Sequence, residues 1–291
     1  MKNPEIVVIT GPTASGKTDY GIKFALANNG EVVSADSMQI YKLMDIGTAK
    51  PTHEEMRGIR HHMIDIVPPW EDYSVARYVE DASACIDDIF SRGKLPVIVG
   101  GTGLYIDSLL ADREFSAREN DKLRSELELE YENVGGEEML RRLKSFDTER
   151  AEKLHANDKK RIIRAIEIYK ITGKTITQHD METKSQTHRY NARKIALNFS
   201  DRSKLYERID HRVEMMIANG LEHEVRGLLE IGVSPNCTAM QAIGYKELLG
   251  AIFGEFSLET AIEEIKIESR RLAKRQLTWF RRDSTVEWIN F

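Results

Sequence analysis

The chain has 291 residues, 41% of them hydrophobic and 31% charged, which is room for one large domain or two modest ones with a substantial core. Its formal net charge of −5 does not mark the whole molecule as a nucleic-acid binder. No run approaches the ~20 apolar residues of a membrane span, and "MKNPEIVVITGPT" lacks the apolar core of a signal peptide. The two cysteines, Cys85 and Cys237, lie far apart without metal-site spacing, so the expected setting is reducing and cytoplasmic.

Taken in order, "EIVVIT" reads as a buried strand, "GPTASGKT" as a glycine loop and "TDYGIKFALANN" as a helix. "EVVSAD" is a second strand ending at Asp36. "YSVARYVEDASACIDDIFSRG" has helical periodicity, and "KLPVIVGG" is a third strand closed by Gly100 and Gly101. This β-α-β-α order predicts an α/β fold with a P-loop NTPase-like core, a parallel sheet and helices on both faces. From Ser116 to about Asn191 the pattern is helical and highly charged, with "ENDKLRSELELEYENVG" and "NDKKRIIRAIEIYKITG" the clearest helices. "RKIALNFS" returns to strand character, and "DRSKLYERIDHRVEMMIANGLEHEVRGLLEIG" is helical again. The expected organisation is therefore a core of 1–115 and 195–291, with a helical insertion at 116–194. A last helix spans about Leu258 to Arg282. Its apolar stripe is Leu258, Ile262, Ile265, Leu272 and Trp279, and Arg270, Arg271, Lys274, Arg281 and Arg282 are expected on the opposite side.

"GPTASGKT" matches G-x-x-x-x-G-K-[ST] at every fixed position, between a strand and a helix. Gly11 and Gly16 allow the backbone to curl with its N–H groups inward, and the helix that follows adds its positive dipole end. Lys17 supplies a mobile charge, and the Thr18 hydroxyl is a Mg²⁺ ligand candidate. The loop recognises a polyphosphate without saying which. Asp36 stands at the carboxyl edge of the sheet, where ligands of open α/β sheets bind. It is open to three roles there: a Mg²⁺ ligand through water, a general base, or a turn residue. "GGTG", Gly100 to Gly103, permits close backbone approach or simply a tight turn. The third strand ends without a carboxylate, which argues against an ordinary ATPase. In "RHHMID", His61, His62 and Asp65 suggest a metal, but adjacent histidines do not share a face, so structural hydrogen bonding is the better reading.

The segments "GPTASGKT", "SADSMQIYKLMDIGTAKP", "HHMIDI", "VIVGGTGLYIDSLL", "NDKKRIIRAIEIYKITGK", "QAIGYKEL" and "AKRQLTWFRRD" together resemble the tRNA dimethylallyltransferase (tRNA isopentenyltransferase) family. Leu43 departs from the pattern where that family often has glycine. The resemblance implies transfer of a dimethylallyl group from dimethylallyl diphosphate, assisted by Mg²⁺. The acceptor is the exocyclic amine of the adenosine 3′-adjacent to the anticodon of tRNA, and pyrophosphate leaves. It implies that Gly11, Pro12, Thr13, Ala14, Ser15, Gly16, Lys17 and Thr18 hold the diphosphate, with Asp36, Lys17 and Thr18 catalytic and Thr18 on the metal. The tRNA anticodon stem-loop would meet Asp36, Ser37, Met38 and Gln39, and also Thr102 and Arg124. Further implied contacts are Lys160, Arg161, Ile162, Ile163 and Arg164, then Met240, Gln241, Ala242, Ile243, Gly244 and Tyr245. A monomer without membrane association is expected.

Two rival readings stay open at the sequence level. An ATP-dependent small-molecule kinase explains the loop and Asp36 but not the basic C-terminal helix. A nucleotide-gated RNA-binding module explains the basic stretches but leaves Asp36 without chemistry.

Overall fold

The computed structural model describes residues 5–111, 121–184 and 189–291. β1 (Glu5–Thr10) leads through the glycine loop into α1 (Lys17–Ala27), then β2 (Gly30–Ser34), a short α2 (His53–Met56) and a two-residue β3 (His61–His62). α3 (Val75–Ser91), β4 (Leu95–Val99) and α4 (Gly103–Leu110) complete the first segment. The chain re-enters the sheet through β5 (Asn191–Asn198) after the helices α5 (Asp121–Val134), α6 (Gly136–Lys144), α7 (Thr148–Ala151), α8 (Lys159–Thr172) and α9 (Ile176–Lys184). It ends with α10 (Arg202–Ala218), α11 (Leu221–Glu230), α12 (Tyr245–Ile252), α13 (Leu258–Phe280) and β6 (Glu287–Asn290).

The strands form one sheet in the order β3-β2-β4-β1-β5-β6, and every pairing is parallel. β1 is central, with Val7 opposite Val97 on one side and Arg193 on the other. Successive side chains of a strand point to opposite faces, so a strand covered on both sides reads as a continuous apolar run. "IVVI" does this: Ile6 and Val8 pack into one cluster with Val33 and Ile98, while Val7 and Ile9 pack into another with Val32, Val97 and Leu197.

Two compact units result, Met1–Leu110 with Arg189–Phe291, and Ala111–His188. β5 begins at Asn191, so 191–194 belong to the sheet, whereas the sequence reading placed them in the insertion. Four residues of mixed polarity ("NARK") at the start of the strand hide its onset. The expected start of the insertion at 116 lies outside the described residues. The helical unit has its own core of Leu127, Met139, Leu143, Ile162, Ile163 and Ile166, and no strand among its described residues.

The stripe expected on α13 needs correction. The buried positions are Ala261, Ile265, Ala273, Leu277 and Phe280; Leu258, Ile262, Leu272 and Trp279 are only partly buried. α13 packs against α4, α10 and α12, so no single stripe describes it. Arg270 is also misplaced by the sequence reading. Its Nε donates to Asp210 Oδ1 at 2.9 Å and its guanidinium lies over Tyr206, so it ties α13 to α10.

Candidate active site

The glycine loop joins the carboxyl end of β1 to the amino end of α1. Gly11 has φ 144°, and a Cβ there would stand 2.5 Å from the Leu197 carbonyl oxygen of β5, so only glycine fits. Gly16, left-handed at φ 85°, caps α1 and hands the chain to Lys17 and Thr18 in its first turn. Lys17 Nζ donates to the Pro12 carbonyl at 3.3 Å.

The loop opens into a cavity of about 950 Å³ that also receives Asp36, Thr102, Arg208, Arg212 and Gln276. Gln276 of α13 accepts from Thr13 N at 2.8 Å and donates to the Gly101 carbonyl at 3.1 Å, joining the two glycine loops. Arg208 of α10 donates from Nε to the Ala14 carbonyl at 2.9 Å. Burial, then the charge of Arg212, pushes the Lys17 amine down to about 8, against a smaller opposing pull from Asp36. Burial likewise lowers the pKa of Arg212, with Asp36 opposing. Lys17, Arg208 and Arg212 share the cavity with Asp36 and leave an excess of positive charge there, a setting for a multiply charged anion. The cavity is also lined by Ile209, Val213, Met216, Ile243, Ile265 and Leu272. A phosphate-sized polar end and an apolar lining thus share one space.

Asp36 follows β2 by two residues. Its Oδ1 accepts from Met38 N at 2.9 Å and Gln39 N at 3.4 Å; no hydrogen bond to Oδ2 occurs among the described residues. The turn role therefore leaves the second carboxylate oxygen available for chemistry. Thr102 Oγ1 accepts from Ser37 N at 3.1 Å, holding the "GGTG" loop against the Asp36 turn. β4 ends at Val99 and runs into Gly100 without a carboxylate.

The other expected site residues divide. Thr13, Ala14, Gly16, Lys17, Thr18, Asp36, Ser37, Met38, Gln39, Thr102, Gln241, Ala242 and Ile243 line the cavity. Met240 and Tyr245 are fully buried, Ile162 and Ile163 sit in the core of the helical unit, and Gly244 caps α12. Those four side chains are buried; apolar spacing within a basic or glycine-bearing motif places them inside. Arg124 and Arg164 donate to buried Glu167 at 3.1 and 2.8 Å, so their charges are compensated within the helical unit. Lys160 and Arg161 are exposed on the same unit. His62 contacts Glu31 at 2.8 Å, His61 contacts the Ile59 carbonyl at 2.9 Å, and Asp65 accepts from Lys50, so the three do not converge.

Sequence reasoning missed Arg208, Arg212 and Gln276. The available signal was Arg208 and Arg212 four residues apart on one helix face, which reads equally well as a solvated surface.

The IPP transferase family pattern matches residues 39–283, and an isopentenyl transferase pattern matches residues 4–67. The chain belongs to the IPP transferase family. A tRNA dimethylallyltransferase of Acetivibrio thermocellus is 51% identical over 98% of this chain and 91% of its own, and one of Geotalea uraniireducens is 45% identical over 99% and 92%. The crystal structure of a full-length tRNA isopentenylpyrophosphate transferase from Bacillus halodurans superposes with a TM-score of 0.73 at 42% identity, covering 99% of this chain and 90% of that one. A eukaryotic dimethylallyltransferase acting on tRNA superposes with a TM-score of 0.84 at 31% identity, covering 99% of this chain and 74% of that one. Within the IPP transferase family pattern fall Asp36's neighbour Gln39, Thr102, Arg208, Arg212 and Gln276, all of them at the cavity.

Proposed function

We propose that this chain transfers the dimethylallyl group of dimethylallyl diphosphate to the exocyclic amine of the adenosine 3′-adjacent to the anticodon in tRNA, releasing pyrophosphate. The carrying observation is that the glycine loop, Lys17, Asp36, Arg208 and Arg212 line one cavity together with an apolar set of side chains. A prenyl diphosphate is an anionic head on an apolar tail, and this space has a place for each.

An adenine amine is a weak nucleophile because its lone pair is delocalised into the ring. Rate then depends on stabilising the charge that grows on the departing diphosphate. Loop amides, Lys17, Arg208 and Arg212 are suited to that. The C–O bond to the diphosphate breaks as the N–C bond forms, and the amine proton passes to Asp36. The target base must leave its stack, which costs a few kcal/mol and least in a single-stranded loop.

Mg²⁺ suits these residues in one way. Among the described residues no three His, Cys, Asp or Glu side chains cluster as a metal cage would need. A Mg²⁺ ion takes one or two protein oxygens and completes its shell with phosphate and water. Thr18, with Asp36 in the same cavity, supplies oxygen donors of that type. When bound, the ion neutralises charge on the diphosphate. The free thiols Cys85 and Cys237 suit a reducing, cytoplasmic setting. No helix among the described residues is long and apolar enough to cross a membrane.

The test follows prenyl transfer and ATP hydrolysis in parallel, with tRNA and Mg²⁺ present. Prenylated tRNA with stoichiometric pyrophosphate and no ATP turnover is expected. Sustained ATP turnover without prenylation would move the reading to a phosphotransferase, and binding without covalent product to an RNA-binding module.

A further inference from the structure

Glu224 of α11 carries out a task that the chemistry above does not use. Its Oε2 accepts from the backbone N–H groups of Asp45 and Ile46, each at 2.8 Å. Its Oε1 accepts from Gly47 N at 3.2 Å and from the Tyr245 hydroxyl at 2.5 Å. A carboxylate has about four acceptor sites, and here all four are taken. Three successive amides aimed at one carboxylate form an anion-binding concavity, filled by a side chain of the protein itself. The approach is close: a Cβ on Gly47 would stand 2.4 Å from the Tyr245 ring and 2.9 Å from Leu221. Burial, then the Glu224 charge, raises the Tyr245 phenol above its ordinary range, so it stays a donor.

The clamped segment is a wall of the cavity. Gly47, Thr48, Ala49 and Pro51 line it. Gln39 donates to the Thr48 and Ala49 carbonyls at 3.3 and 3.2 Å and accepts from Ser34 Oγ at 2.9 Å. Gln39 N in turn donates to Asp36 Oδ1. Lys50, its side chain buried, donates to the Tyr41 carbonyl and to Asp45 and closes the segment from the other end. Hydrogen bonds at both ends of the 45–49 backbone thus link Glu224, through that backbone and Gln39, to the carboxylate proposed as base. "GLEHEV", "DIGTAK" and "QAIGYKEL", distant in sequence, meet at this one carboxylate.

We propose that Glu224, braced by Tyr245, is a positioning residue that fixes the 45–51 wall and, through Gln39, the turn carrying Asp36. The proposal rests on the reading of the cavity as a prenyl-transfer site. It does not involve the glycine loop, and this makes it separable. Glu224→Gln keeps one carbonyl oxygen but turns an NH₂ group toward either the Asp45 and Ile46 amides or the Gly47 amide and Tyr245 hydroxyl. One pair of donors then faces donors. The wall should loosen while the diphosphate site stays intact.

The test compares wild type, Glu224→Gln and Glu224→Asp in three measurements. Hydrogen exchange of the 45–47 amides in the unliganded protein should accelerate in Glu224→Gln. Affinity for inorganic pyrophosphate should stay within about twofold of wild type, since the glycine loop is untouched. The prenyl-transfer kcat should fall about a hundredfold, the scale of a ~1 Å misplacement of catalytic groups. Glu224→Asp, which keeps four acceptor sites on a shorter arm, should recover part of that loss. Unchanged exchange with wild-type kcat would overturn the proposal, as would pyrophosphate affinity falling in step with kcat. A wild-type protein that binds pyrophosphate but never prenylates tRNA would overturn the functional reading instead, and the exchange measurement would still decide whether Glu224 holds the wall.

Discussion

Lys17 offers a quantitative handle on the proposed diphosphate site. Burial and the nearby Arg212 hold its amine at about 8, against an ordinary 10.5. A bound diphosphate adds negative charge beside it and restores the protonated form. Binding above pH 8 must therefore take up a proton. If the bound amine returns to its ordinary range, affinity falls by the factor 1 + 10^(pH−8). That is about 30-fold between pH 7 and pH 9.5, approaching tenfold per pH unit. The same residue acts with opposite sign on the ligand-free fold: above about pH 8 the unfolded chain holds a proton that the folded chain has released, so this contribution to stability rises with pH. Lys17→Arg keeps a charge throughout this range, so its affinity profile should be flat whatever its absolute affinity. Lys17→Ala should be weak and flat. The assay is calorimetric titration with dimethylallyl diphosphate from pH 7 to 9.5 at constant Mg²⁺. A flat wild-type profile, or the same slope in Lys17→Arg, would refute the reasoning.

Three further outcomes are expected. Asp36→Ala should lower single-turnover prenyl transfer by ~10²–10⁴, the usual span for loss of a general base, with a smaller effect on tRNA affinity, which phosphate contacts dominate; near-normal turnover at saturating substrates would remove Asp36 from that role. Leu43 is half exposed with φ 67°, a region that costs a non-glycine residue about 1–2 kcal/mol, so Leu43→Gly should stabilise the protein by about 1 kcal/mol after the entropy cost of glycine; a lower urea midpoint would contradict this. Buried Glu31 is held well below the usual carboxylate range, first by Arg92 and then by Lys94 and His62. Its contribution is present above its unfolded pKa and lost as pH falls through the folded one. Glu31→Gln should cost about 3 kcal/mol near neutrality, and its gap from wild type should narrow in acid; a gap independent of pH would argue against the ion cluster.

What the sequence disclosed follows from how local each signal is. "GPTASGKT" is contiguous, and its geometry depends on its own glycines and the helix behind it. β1 and β4 carry unbroken apolar runs, and β2 the pair Val32 and Val33, because both faces of the sheet are covered there. β3 has two residues and β6 four, too short for periodicity, and neither was legible. Leu43 was readable as a departure from the family resemblance, and it takes a positive φ, a conformation glycine adopts more readily. Arg208, Arg212, Gln276 and Glu224 were not legible. Three gain their roles from a neighbour supplied by another segment, Ala14 for Arg208, Thr13 and Gly101 for Gln276, and three loop amides for Glu224, while Arg212 acts through its charge near Lys17 and Asp36. Arg270 shows the converse, since a helical wheel puts it outside but does not reveal Asp210 across from it.

The central claim is that this cavity moves a prenyl group onto one adenosine of a tRNA. Mass spectrometry of nucleosides and nuclease fragments from tRNA incubated with the protein, Mg²⁺ and dimethylallyl diphosphate tests it most directly. The account predicts an adenosine heavier by one five-carbon prenyl group, confined to the position 3′-adjacent to the anticodon and missing when Asp36→Ala replaces the wild type in a short incubation. Unmodified adenosine throughout, or prenylation scattered over the tRNA or unaffected by the Asp36 substitution, would contradict it.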